Sequence, residues 1–183
     1  MDILLKSAQV WKSLLNVSAY FTYLKKDKDK NQEISQEVKI IFDKADFYHL
    51  AGFQYLNDVQ IPKTSRNKII DAVINGVIKI EHIEKSEKYL SMIEPRLLAL
   101  SKLQDGFEFI KGYSYNPRWY SFYTAIKADY VLEFKIKNDE YFFLFIITND
   151  IIYYCTSIFM EDPNRNYRQG QKLLWSASNF INT

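Results

Sequence analysis

Apolar residues fall at helical spacing over the first 25 or so positions: Leu4, Ala8, Trp11, Leu15 and Ala19 share one face, uninterrupted by Gly or Pro. This predicts an amphipathic helix from Asp2 to about Lys25. The charge run Lys25-Lys26-Asp27-Lys28-Asp29-Lys30 that closes it reads as an exposed connector. From Glu37 to Phe42 the period becomes two, with Val38, Ile40 and Phe42 alternating with Lys39 and Ile41, as in a short strand. Phe47, Leu50, Ala51, Phe53 and Leu56 imply a short helix or helical turn. After Pro62, a cap at Thr64 or Ser65 introduces a helix carrying Ile69, Ala72, Val73 and Val77 and ending near Asn75-Gly76. Tyr89, Ile93, Leu97, Leu100 and Leu103 extend another from Ser86, and Pro95 either kinks it or opens a new helix in its first turn.

Beyond Asp105-Gly106 the pattern alternates. Phe107, Phe109 and Lys111 oppose Glu108 and Ile110, and Trp119 to Ile126 reads as a further strand after the Asn116-Pro117 turn. Tyr130, Leu132, Phe134 and Ile136 alternate with Val131, Glu133, Lys135 and Lys137; turns at Asn138-Asp139 and Asn149-Asp150 then flank the all-apolar run Tyr141 to Ile147. With Ile151 to Met160 this makes a three-stranded antiparallel meander whose middle strand is covered on both faces. Tyr167 to Ile181 returns to helical spacing through Leu173, Leu174, Ala177 and Ile181. The expected fold is α+β: N-terminal helices packed on a C-terminal antiparallel β-sheet, with a closing C-terminal helix. One domain accounts for residues 1–183, with helix and connector over 1–30 and the α+β core over 37–183.

Composition narrows the function. Aromatic residues make up 16% of the chain and will dominate the core. Cys155 is the only cysteine, so no internal disulfide forms, in keeping with a reducing, cytoplasmic setting. The run Tyr141 to Ile147 is far shorter than the roughly 20 residues of a membrane-spanning helix, and the N-terminus lacks the blocks of a signal peptide. Two histidines and one cysteine give none of the paired spacings of a zinc site. Phosphate-loop, dinucleotide-binding and nucleophile-elbow motifs are also missing, so no cofactor is expected. A net charge of +2 does not by itself point to nucleic acid; a clustered basic face is needed.

Several polar residues stand in apolar surroundings. His49, between Phe47-Tyr48 and Leu50-Ala51-Gly52-Phe53, is either a hydrogen-bonded core residue or a partly desolvated acid/base group. Arg96, on an apolar helix, either snorkels or pairs with a carboxylate, or else clamps a phosphate. Thr156 and Ser157 either satisfy local backbone groups or act in chemistry. Arg165, Arg168 and Lys172, with Tyr167, surround the start of the expected last helix, as a solvated basic face or an anion site. Lys63, Arg66 and Lys68 form a second basic cluster with the same two readings. Trp119, Tyr120, Phe122 and Tyr123 are core residues or platforms for unpaired bases.

Asp46-Phe47-Tyr48-His49-Leu50-Ala51-Gly52-Phe53-Gln54-Tyr55-Leu56, after Val38-Lys39-Ile40-Ile41-Phe42, resembles the strand and histidine-leucine-x-glycine segment of a phage-associated nuclease group. That group lies in the barnase, EndoU, colicin and RelE-like superfamily. Arg96-Leu97, Lys127-Ala128-Asp129-Tyr130, Phe142-Phe143-Leu144-Phe145, Thr156-Ser157-Ile158-Phe159, and Tyr167 with Gln171-Lys172 agree in order, from about Val38 to the C-terminus. The resemblance implies a metal-independent endoribonuclease, a toxin or phage effector, in which the ribose 2′-hydroxyl attacks the adjacent phosphate. It makes His49 the acid or base, Arg96 and Lys172 phosphate ligands, and Ser157 and Tyr167 orienting or proton-transferring groups. Lys63, Arg66, Lys68, Arg165 and Arg168 would hold the RNA. An antitoxin or inhibitor protein is the partner such a toxin needs. The competing expectations are a non-catalytic RNA-binding protein of the same fold and an interaction module that docks through its N-terminal helix.

Overall fold

The computed structural model describes residues 2–26, 33–104, 110–136, 139–149 and 152–175. The Asp2 carboxylate accepts from the N–H groups of Leu4 and Leu5 and so caps α1 (Ile3–Leu14). This helix is shorter than its spacing predicts, because β1 (Ser18–Lys26) follows and pairs antiparallel with β2 (Glu33–Ile41) along its whole length. Ala19 joins the core from that strand, where its neighbours Tyr20 and Thr22 alternate with buried Phe21. α2 (Asp46–Leu50) and the 3₁₀ turn Phe53–Tyr55 occupy the short helical stretch that was expected. The 3₁₀ turn Arg66–Lys68 leads into α3 (Ile69–Ile74), and α4 (Ile80–Ile83) follows. A π-helical turn, Tyr89–Ile93, then runs into α5 (Glu94–Ser101), with Pro95 in its first turn, where a missing N–H costs nothing.

β3 (Ile110–Ser114), β4 (Tyr130–Lys135), β5 (Tyr141–Asn149), β6 (Ile152–Met160) and β7 (Lys172–Trp175) complete one seven-stranded sheet in the order β1-β2-β6-β5-β4-β3-β7. The expected meander is there, but the sheet is mixed rather than antiparallel, because β2 runs parallel to β6. It also curls, bringing its end strands β1 and β7 close together. Over the described part of the expected closing helix, Lys172–Trp175 is a strand bonded to β3; the remainder, from residue 176, lies outside the described residues. Gly170, at φ +69°, turns the chain into that strand. Residues 120–128 hold no strand either: a short 3₁₀ turn at Pro117–Trp119 gives way to an irregular loop. The Phe107 and Phe109 positions of the expected first strand fall outside the described residues.

β5 separates two apolar layers. Phe142, Leu144 and Ile146 face the main core, built with α1, α2, α3 and α5 around Trp11, Phe47 and Leu97. Phe143 and Phe145 face a smaller aromatic cluster with Tyr113, Tyr120 and Tyr167, against which Tyr115, just after β3, and Phe122 and Ile126 of the irregular loop also pack. The apolar face of α1 is thus covered by the chain itself, and Trp11 donates its Nε1–H to the Asp43 carbonyl. No described helix is long and apolar enough to cross a membrane.

Candidate active site

β2 bonds to β6 only as far as Tyr154, while β6 continues to Met160. α5 packs on β6, and Ser157 and Phe159 lie on the stretch that has run past β2. A cavity of about 220 Å³ opens there. Met92 and Arg96 line it from the helical layer, Tyr55 from the 3₁₀ turn, Ser157 and Phe159 from β6, residues 122–126 from the loop, and Arg165 and Tyr167 from the turn before β7. No carboxylate is among the described lining residues.

Arg96 is 2% exposed, yet it forms no ion pair with a described carboxylate. Its Nη1 donates to the Met92 carbonyl at 3.3 Å, its guanidinium lies 4.1 Å from the Phe159 ring centroid and 5.2 Å from that of Tyr55, and its Nε has no hydrogen-bond partner. Burial pushes its pKa down, opposed by the Tyr55 and Tyr167 phenols and reinforced by the charge of Arg165. A lone cation in such a place is costly unless an anion joins it. Gly52 makes the placement possible: at φ +84° it lies against the helix so tightly that a Cβ would stand 2.8 Å from Ile93 Cδ1 and 3.2 Å from Arg96 Cδ. The glycine of the histidine-leucine-x-glycine segment therefore seats the arginine.

Tyr167 is buried among rings. Phe159 stacks on it at 5.7 Å, and Phe143, Phe145 and Phe122 meet it at 5.2, 5.5 and 5.6 Å. Burial raises its pKa, with Arg165 and Arg96 pulling the other way, so the phenol keeps its proton at neutral pH. Phe159 thus contacts both the Arg96 guanidinium and the Tyr167 ring. Arg165 is exposed and reaches Asp162 at 3.7 Å.

Of the residues expected from the sequence, the fold gathers Arg96, Ser157, Arg165 and Tyr167 in this cavity and leaves the others elsewhere. His49 is exposed, not a core residue; its Nε2 lies 3.5 Å from Arg66 Nη1, and partial burial followed by the Arg66 charge lowers its pKa. Arg66 also lies 5.0 Å from the Tyr48 ring, and Lys63 and Lys68 flank it at the surface. Lys172 lines a separate depression with Ser114, Asp129 and Tyr153. Arg168 bonds to Glu133 and Glu161 and lies over the Tyr141 and Phe143 rings. Tyr55 and the loop residues Thr124, Ala125 and Ile126 carry no site expectation from the sequence, whereas Phe122 and Tyr123 stand there as core residues or base platforms and do line the cavity.

Among the described residues no cluster of His, Cys, Asp or Glu is arranged to hold a metal ion. No curated protein matches the chain, and no solved structure does. A family model does match, over residues 3–174, a span that takes in α1 as well as the segments quoted above. The chain belongs to that family, the phage-Barnase-EndoU-ColicinE5/D-RelE like nuclease 4 group.

Proposed function

We propose that this nuclease is an endoribonuclease that binds the scissile phosphate in the Arg96 cavity and cleaves without a metal ion. The observation that carries the reading is a guanidinium, 2% exposed and without a partner among the described carboxylates, in a cavity whose described lining holds no acid and includes a second arginine. Arg96 and Arg165 stabilise the charge that develops on the phosphate oxygens, and the preset cavity keeps them in place as it builds up. Tyr167, protonated and buried beside them, donates to the leaving 5′-oxygen, while Ser157 orients the phosphate. Neither a histidine nor a carboxylate is among the described lining residues, so the proton of the 2′-hydroxyl needs an acceptor from the rim. His49 takes that role. It shares a turn with Gly52, which touches Arg96, and with Tyr55, which lines the cavity. Its lowered pKa leaves the imidazole neutral and able to accept at pH 7. The other histidine, His82, accepts from the Lys79 N–H and lines a different depression.

The missing base within the cavity also favours a second reading, an RNA-binding protein that holds phosphate but does not cut. Incubation of the protein with total RNA in EDTA separates the two. Fragments ending in 2′,3′-cyclic phosphate and 5′-hydroxyl support the nuclease reading. Cleavage that requires added metal, or 5′-phosphate products, refutes the mechanism, and salt-sensitive binding without scission supports the second reading.

A further inference from the structure

Aromatic rings around the cavity are nearly all engaged. Tyr120 and Phe122 stack at 4.8 Å, Phe122 meets Tyr167 edge-on, and Tyr55 and Phe159 face Arg96. Tyr123 is the exception. It lines the same cavity but is 91% exposed, and its ring makes no contact with another described ring or cation. The loop that presents it is pinned on both sides. Tyr115 donates its hydroxyl to the Ile126 carbonyl at 2.9 Å, the Thr124 hydroxyl accepts from the Ile126 N–H, and Ser121 bonds through both its N–H and its hydroxyl to Gln169. An apolar ring held out into water by an anchored loop gains nothing from the fold, yet it is already placed for a planar ligand.

We propose that Tyr123 is a nucleobase platform, stacking on an unpaired base next to the phosphate held by Arg96 and Arg165, so that the preferred substrate is single-stranded. The proposal rests on the phosphate-site reading above and adds base recognition to it. A base inside a duplex has both faces covered by its neighbours, so only an unstacked one can lie on the ring. The two arginines, with no acid among the described lining residues, draw in the polyanion, and the ring then selects for a base on the adjoining nucleotide.

The test uses 2′-O-methyl hexanucleotides, which lack the nucleophile and stay intact, with the whole protein and fluorescence anisotropy as readout. One probe is fully based; the others carry an abasic site at each position in turn. Tyr123→Ala should weaken binding of the based probe about 10-fold, Tyr123→Phe should hold it within about 2-fold, and one abasic probe should be insensitive to Tyr123→Ala. Duplex probes should bind more weakly than single strands and be indifferent to Tyr123. Arg165→Gln and Arg96→Gln should weaken every probe alike. Loss from Tyr123→Ala that is equal for based and abasic probes, or no loss at all, overturns the base platform while the arginine variants keep the phosphate site standing. Arginine variants that bind every probe as the parent does remove the phosphate site, and the platform falls with it.

Discussion

Arg168 reaches Glu133, 1% exposed on β4, through its Nε at 3.1 Å, and Tyr113 donates its hydroxyl to the same carboxylate. Arg96 reaches no described carboxylate. Two arginines over aromatic rings therefore differ in sign. Arg168→Met strands a buried carboxylate and should cost about 3 kcal/mol, a fall of several degrees in the melting temperature of a chain this size. Arg96→Met removes an uncompensated charge while keeping length and apolar contact, so the melting temperature should hold or rise while RNA cleavage drops about 100-fold or more. A clearly less stable Arg96→Met would mean that the fold itself supplies a counter-charge. Asp46 gives a pH-dependent case. Burial raises its pKa from 3.8 to about 7, with Asp43 adding to the shift, and one of its oxygens, Oδ2, has no partner. Between about pH 4 and 7 the folded chain holds a proton that the unfolded chain has released, so stability declines as pH rises through this window and levels off above it. At about 1.4 kcal/mol per unit the loss over this window is on the order of 4 kcal/mol. Asp46→Asn should flatten thermal melts across this range and be the more stable protein at pH 8; an Asn variant no more stable there would show that the ionised carboxylate is accommodated without penalty.

Elements were legible where one interaction decided them. The run Tyr141 to Ile147 reads as a strand covered on both sides, and Phe142 through Ile146 are all buried, alternately toward the two cores. Leu144→Asp should accordingly abolish cooperative folding, because a buried unpaired charge costs several kcal/mol out of a total of about 5 to 15. A folded, soluble variant by circular dichroism would contradict the two-sided burial. Elements were misread where a distant partner decided them. Leu4, Ala8, Trp11, Leu15 and Ala19 fit one helical face, but Ala19 and Phe21 also fit a strand, and pairing with β2 settles the matter in favour of β1. Trp119 to Ile126 has the aromatic content of a strand without a neighbour to bond, so its side chains pack on Tyr167 instead. At the other end, Gly170 and the free edge of β3 claim Lys172–Trp175. Local spacing does not contain those choices.

At the scale of the molecule, the cavity exists because β6 outruns β2 and three layers converge beside it, bringing Arg96, Ser157, Arg165 and Tyr167 together from separate motifs. The residue types were readable one by one; their grouping was not, since it depends on the curl of the sheet and on a loop expected to be a strand. His49 is where the two kinds of information meet. It carries the resemblance to the family, yet it stands outside the cavity, exposed beside Arg66. Exposure removes one explanation for any phenotype: truncating His49 opens no core cavity, so His49→Gln should leave the melting temperature within about 1 °C of the parent. If the imidazole accepts the 2′-hydroxyl proton as RNA bridges α2 and the cavity, single-turnover cleavage at pH 7 should fall about 100-fold or more. The pH profile then adds a signature that mere RNA binding by His49 would not give. Partial burial and Arg66 hold its pKa below 6.5, so the parent's activity should be full at neutral pH and decline only as pH drops through that lowered value. The glutamine variant should lose this acid limb altogether, and Arg66→Gln, by removing the neighbouring charge, should move the limb to higher pH. Full cleavage by His49→Gln with the acid limb intact would place the base elsewhere and leave His49 as part of the surface over which the substrate passes.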